Sequence, residues 1–119
     1  MSFTNCSIAG IVAALTVSEH SYPVVVNNPD LVARTLPTLQ RVAGKDRVVV
    51  TPLQTGAEDF AFYAQLVPSF FFYVGVTPPN TDVAKAATNH SPLFYIDEPA
   101  LRVATRALLG VAVDYLQGE

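Results

Sequence analysis

Hydrophobic positions along the chain come in clusters whose spacing alternates between strand-like and helix-like, with Pro, Gly, Asn and Asp between them. Residues 8–17 are apolar and rich in small side chains, a length at which periodicity leaves a helix end and a buried strand equally open. Residues 22–26 are β-branched, entered through Pro23, and predict a strand. That strand stops at Asn27-Asn28-Pro29-Asp30, where Asn28 can cap a helix, Pro29 suits the first helical position and Asp30 suits the positive helix end. The helix places Leu31, Thr35, Leu39 and Val42 on one stripe with Leu36 beside it. Pro37 should kink it and Gly44 should stop it. Residues 47–51 predict a short strand.

Thr55-Gly56-Ala57-Glu58 fits a capping box, with Thr55 at the cap and Glu58 three residues on. Phe60, Tyr63, Ala64 and Val67 then recur at helical spacing until Pro68. Residues 69–76 form a near-continuous aromatic and β-branched run, the pattern of a strand covered on both faces. A long polar loop follows over 77–95; loops of that length inside compact domains are uncommon and often functional. Asp97-Glu98-Pro99 starts the last helix, with Leu101, Ala104, Leu108, Val111, Ala112 and Tyr115 as its expected buried face and Gly118 just past its end. Helices alternating with apolar strands predict a layered α/β architecture.

Composition narrows the partners. The 119 residues suffice for one small domain, and 50% hydrophobic against 14% charged residues describes a globular chain. The net charge of -3 and the lack of any basic run argue against nucleic acid and against an anionic membrane surface. The longest apolar runs, 8–17 and 70–76, are too short to span a bilayer. One cysteine, Cys6, allows no internal disulfide and no Cys-rich zinc site. With no Lys or Arg in residues 1–7 to head a secretory signal, the expected location is cytoplasmic.

The residue with chemical potential is His90, in Thr88-Asn89-His90-Ser91-Pro92, on the loop between an apolar strand and a long helix. Neutral imidazole offers a lone pair to a zinc-type ion. On the residues alone the ordinary reading wins, because a metal ligand needs companions. Glu58-Asp59 is an acidic pair at a helix start. Capping outweighs catalysis there, since adjacent helical residues point about 100° apart and cannot converge on one atom. His20 is expected at the surface and Cys6 inert. The 70–73 aromatics have no interleaved basic residues and read as core packing, not a stacking platform.

Five segments in order carry a resemblance: Gly56-Ala57-Glu58-Asp59-Phe60, Val67-Pro68, Phe71-Phe72-Tyr73-Val74-Gly75, Asn89-His90-Ser91-Pro92-Leu93-Phe94, and Asp97-Glu98-Pro99-Ala100-Leu101. Together with 22–29 they resemble the N-acyl-amino-acid amidohydrolases, the hippurate and indoleacetyl-amino-acid hydrolase group of the two-metal aminoacylase–carboxypeptidase superfamily. The resemblance spans about residues 20–116 and is poor before Ser18. It implies the C-terminal part of a layered α/β metallohydrolase domain with a remnant of an inserted α+β lid domain: residues 1–27 would be the lid remnant and 28–119 the catalytic part. It also implies two divalent ions, zinc or manganese, in the complete enzyme, a metal-activated water attacking the amide of an N-acyl amino acid or similar peptide-like substrate, and His90 as one metal ligand. Gly56 and Glu58 would line the substrate pocket. The family's Cys-Gly-His-Asp motif, its Glu-Glu pair with the general base, and its further histidine are missing from this sequence. No catalytic residue is therefore assigned, and the chain alone is expected to be inactive without the missing N-terminal half as partner. A homo-oligomer stays open. Two rivals stand beside this reading: a non-catalytic interaction module and a gene remnant.

Overall fold

A computed structural model describes residues 4–8, 11–15, 21–52, 54 and 56–118. Two short strands, β1 (Thr4–Ile8) and β2 (Ile11–Leu15), pair antiparallel with Cys6 opposite Ala13. Of the two options open for residues 8–17, the strand is the one adopted over 11–15.

Helix α1 (Pro29–Ala43) begins and ends as its punctuation predicts. Asn28 Oδ1 accepts from the backbone N–H of Asp30 at 3.1 Å and of Leu31 at 3.0 Å, and Gly44 closes the helix at φ 94°, a conformation glycine tolerates best. The helix continues across Pro37. Thr35 and Leu39 are buried on the expected stripe, with Leu31 and Val42 half-buried; Thr38 is buried beside them and Leu36 is exposed. Helix α2 is shorter, Phe60–Leu66. Helix α3 runs from Glu98 to Gln117, and Gly118 ends it in the left-handed region at φ 82°.

The centre of the structure is the seam between α1 and α3, and of the expected α3 face only Ala104 and Val111 lie on it. Ala107 is buried and Ala100, Val103, Ala104, Gly110, Val111 and Asp114 are half-buried, a face about a quarter of a turn away from Leu101, Leu108 and Tyr115, which stay exposed. The reason is size. Small side chains let the two helices approach closely, and a Cβ on Gly110 would come within 3.0 Å of Thr38 Cγ2. One end of the seam is polar: Asp114 Oδ2 accepts from the Thr38 hydroxyl and from Arg41 Nη2 at 2.7 Å, while Arg34 lies 4.3 Å above the Tyr115 ring and donates to its carbonyl at 2.8 Å.

The expected strands over 22–26, 47–51 and 69–76 are not paired into a ladder; residues 45–47 instead form a single 3-10 turn, Lys45–Arg47. A strand is stable only beside another, and among the described residues none supplies a backbone ladder for these runs. The layered α/β arrangement is thus not assembled within these residues. Buried apolar side chains among those described are Leu39, Ala61 and Ala107, while Val50 is 99% and Leu116 83% exposed. The accessible surface is 10158 Å², against roughly 6,300 Å² for a self-contained monomer of this mass. The radius of gyration is 18.9 Å, against about 13.5 Å for a compact domain of this length.

Hydrogen bonds from Thr38 and Arg41 hold the Asp114 carboxyl below its ordinary value of 3.8. A carboxylate with a lowered folded-state pKa contributes in full above the ordinary value, and the contribution drains away as pH falls through the lowered one. Asp114→Asn should therefore lose helical circular dichroism at a lower temperature than the parent at neutral pH, and the gap should close below pH 3.8. A gap that persists in acid would contradict this role.

Candidate functional site

His90 sits in a tight turn that its neighbours build. The N–H of Ser91 donates to the Thr88 carbonyl at 2.9 Å, the N–H of Phe94 donates to the Ser91 carbonyl at 3.0 Å, and Ser91 Oγ accepts from Leu93 N–H at 3.2 Å. Pro92 follows within this double turn, so the backbone around the imidazole is held while the ring itself is exposed. The 77–95 segment is a loop apart from the short 3-10 turn Val83–Lys85, capped by Asp82. Its far end is tied down where Asp97 N–H donates to the Val76 carbonyl at 2.8 Å.

The Gly56–Phe60 segment differs from its expected form. Helix α2 begins at Phe60, so a cap at Thr55 would lie well outside its first turn; Thr55 itself, like His20 and the side chain of Cys6, lies outside the described residues. Glycine at 56 is costly inside a helix, which favours a later start. Glu58 still has a structural occupation: its Oε1 accepts from Phe60 N–H at 3.2 Å and its carbonyl from Ala61 N–H at 3.2 Å. Capping is thus retained in a different geometry. Gly56 is exposed, with nothing within 4 Å of where a Cβ would stand. No hydrogen bond or ion pair joins His90 to either Gly56 or Glu58 among the described residues.

Metal chemistry needs several donors converging on one point. Among the described residues no group of three or more His, Cys, Asp or Glu side chains could hold an ion. A single exposed imidazole does not make a two-metal centre, so the donor set of these residues does not fit the pair of ions by itself.

Spacing gave no hint of one position. Asn27 reaches across 44 residues with its carboxamide, donating from Nδ2 to the Phe71 carbonyl at 2.8 Å and accepting from Phe71 N–H at 2.7 Å. An asparagine next to a helix cap reads locally as turn chemistry, and only the tertiary fold reveals a distant partner.

Comparison with known proteins assigns the class. The model of peptidase family M20/M25/M40 matches residues 8–114, reaching upstream of the segment in which the resemblance is legible by motif. A putative amidohydrolase, YhaA, of Bacillus subtilis is 35% identical over 94% of this chain and 28% of its own length. An IAA-amino acid hydrolase ILR1-like 6 of Arabidopsis thaliana is 33% identical over 80% of the chain and 20% of its own. A thermostable carboxypeptidase 2 of Saccharolobus solfataricus is 30% identical over 92% and 27%. No solved structure matches with significance. The class is that of metal-dependent amidohydrolases and peptidases. The chain belongs to peptidase family M20/M25/M40, and it spans less than a third of the length of these curated relatives. No helix among the described residues is long and apolar enough to cross a membrane.

Dialysed after exposure to zinc or manganese, the purified chain should retain well under one equivalent of metal, and His90→Ala should leave that value unchanged. Retention of one or more equivalents by the unaltered chain would contradict the incomplete donor set.

Proposed function

We propose that this chain is the C-terminal portion of a metal-dependent amidohydrolase that cleaves the amide bond of N-acyl amino acids, and that His90 is the metal ligand it contributes. The observation that carries the reading is the combination of family membership over 8–114 with a histidine held exposed in a fixed turn, without companion ligands among the described residues. The substrate class draws on relatives named as an amidohydrolase and an IAA-amino acid hydrolase. The finer assignments go with it: residues 28–119 as the catalytic part of a layered α/β domain, residues 1–27 as the end of a lid, and zinc or manganese as the ions. Gly56 and Glu58 are placed beside the substrate.

In this reading the chain has two tasks of its own. The hydrogen-bonded Thr88–Phe94 double turn presents one exposed imidazole, and the α1–α3 pair supplies a helical layer of the domain. Neither task performs hydrolysis. The remaining ligands and the proton-transferring carboxylate belong to polypeptide outside this sequence, so activity requires both.

A chimera tests this directly: the part of the Bacillus subtilis relative that this chain does not match, joined ahead of residues 1–119. It should bind divalent metal and hydrolyse N-acyl amino acids. Removing a side chain that merely orients a ligand already costs about 10–100-fold in metal affinity or activity, so His90→Ala should cost at least roughly that much in both. Full metal content and activity in the His90→Ala chimera would refute the ligand assignment.

A further inference from the structure

Asparagine followed by a free backbone N–H is chemically labile, because that nitrogen can attack the carboxamide carbon one residue back. The reaction needs a carboxamide free to rotate and an attacking N–H engaged by nothing else, and the next side chain must not crowd the approach. The chain has five asparagines, four of them with described side chains, and the fold sets those four apart.

Three are blocked. The Asn27 carboxamide is bonded to both backbone groups of Phe71, and the nitrogen that would attack it, Asn28 N–H, donates to the Ser69 carbonyl at 2.9 Å. Asn28 caps α1, and its successor Pro29 has no N–H to offer. Asn80 precedes β-branched Thr81, whose N–H donates to the Pro78 carbonyl at 3.0 Å. Asn89 is different. Neither its carboxamide nor the His90 N–H makes a hydrogen bond among the described residues, both residues are exposed, and histidine is not β-branched. The turn that carries them is closed by the bond from Ser91 N–H to the Thr88 carbonyl at 2.9 Å, so its local opening breaks no bond of Asn89 or His90.

We propose that Asn89 is a site of spontaneous deamidation, with the His90 backbone nitrogen as nucleophile. The bond from His90 N to Asn89 Cγ forms, the Cγ–Nδ2 bond breaks, and the carboxamide nitrogen leaves as ammonia with the proton that His90 N–H gives up. A cyclic imide then joins the two residues, and water opens it at either carbonyl. Cleavage at Cγ leaves aspartate; cleavage at the main-chain carbonyl leaves isoaspartate, in which the backbone runs through the side-chain carbons. The co-reactant is water alone. Under the function proposed above, the change falls one residue before the metal ligand. It adds a carboxylate there, and the isoaspartate also adds a backbone methylene that displaces the imidazole.

Prolonged incubation of the purified chain at neutral pH tests this, read by mass spectrometry of the tryptic peptide 86–102, whose one asparagine is Asn89. Aspartate and isoaspartate should accumulate at position 89 at least about tenfold faster than at Asn27, whose hydrogen bonds must break first. Denaturant removes those bonds and should narrow the ratio. His90→Pro leaves Asn89 in place but removes the attacking N–H, and should stop the conversion. Equal rates at Asn89 and Asn27 in the native chain, or undiminished conversion in His90→Pro, overturn the proposal. The chimera separates it from the ligand reading. Isoaspartate at 89 should lower metal content and hydrolysis in step, whereas conversion without that loss counts against His90 as a ligand and leaves the modification site standing.

Discussion

Helix α1 meets helix α3 along a seam of small side chains, and the consequences reach every part of the molecule. Because Ala100, Ala104, Ala107 and Gly110 face α1, the larger residues of α3 have to face elsewhere. Leucines at 101, 108, 109 and 116 are left on other sides, and only a narrow stripe containing Arg102 and Arg106 is polar. A helix apolar over most of its circumference belongs inside a layered structure, with partners on more than one side. Among the described elements, α1 is the one that packs against it.

The turn around His90 is hydrogen-bonded and its imidazole is exposed, while a metal ligand acquires its chemistry from the others that share the ion. Along the 69–76 segment, Asn28 and Asn27 meet the backbone of Ser69 and Phe71 and Asp97 meets that of Val76, while Phe70, Phe72, Tyr73, Val74 and Gly75 make no backbone hydrogen bond among the described residues. The chain belongs to peptidase family M20/M25/M40 and spans less than a third of each of these relatives' length; under the proposed reading the other ligands lie on polypeptide outside this sequence.

Local signals were legible in the sequence and non-local ones were not. The Asn28 cap, Pro29 at the first turn and glycines at 44 and 118 act within a few residues, and α1 and α3 have the expected ends. The start of α2 was misread because a Thr55–Glu58 capping pattern says nothing about the cost of Gly56 within the turn. The buried face of α3 was legible at Ala104 and Val111 but misplaced at Leu101, Leu108, Ala112 and Tyr115, because spacing ranks leucine as core whereas close helix approach selects alanine and glycine. The strands at 22–26, 47–51 and 69–76 have strand composition, but a ladder depends on neighbours that composition cannot provide. His90 stood out by its place in a motif order resembling a known family; nothing in its spacing within this chain marks it as a ligand.

The central claim is that this polypeptide cannot bury a domain's worth of apolar surface by itself, and the heat-capacity change of unfolding measures that quantity most directly. A self-contained domain of this length would show about 1.4–1.8 kcal/mol/K. Scanning calorimetry of the purified chain should give a broad transition with a value far below that range. A sharp two-state transition carrying the full increment would contradict the account.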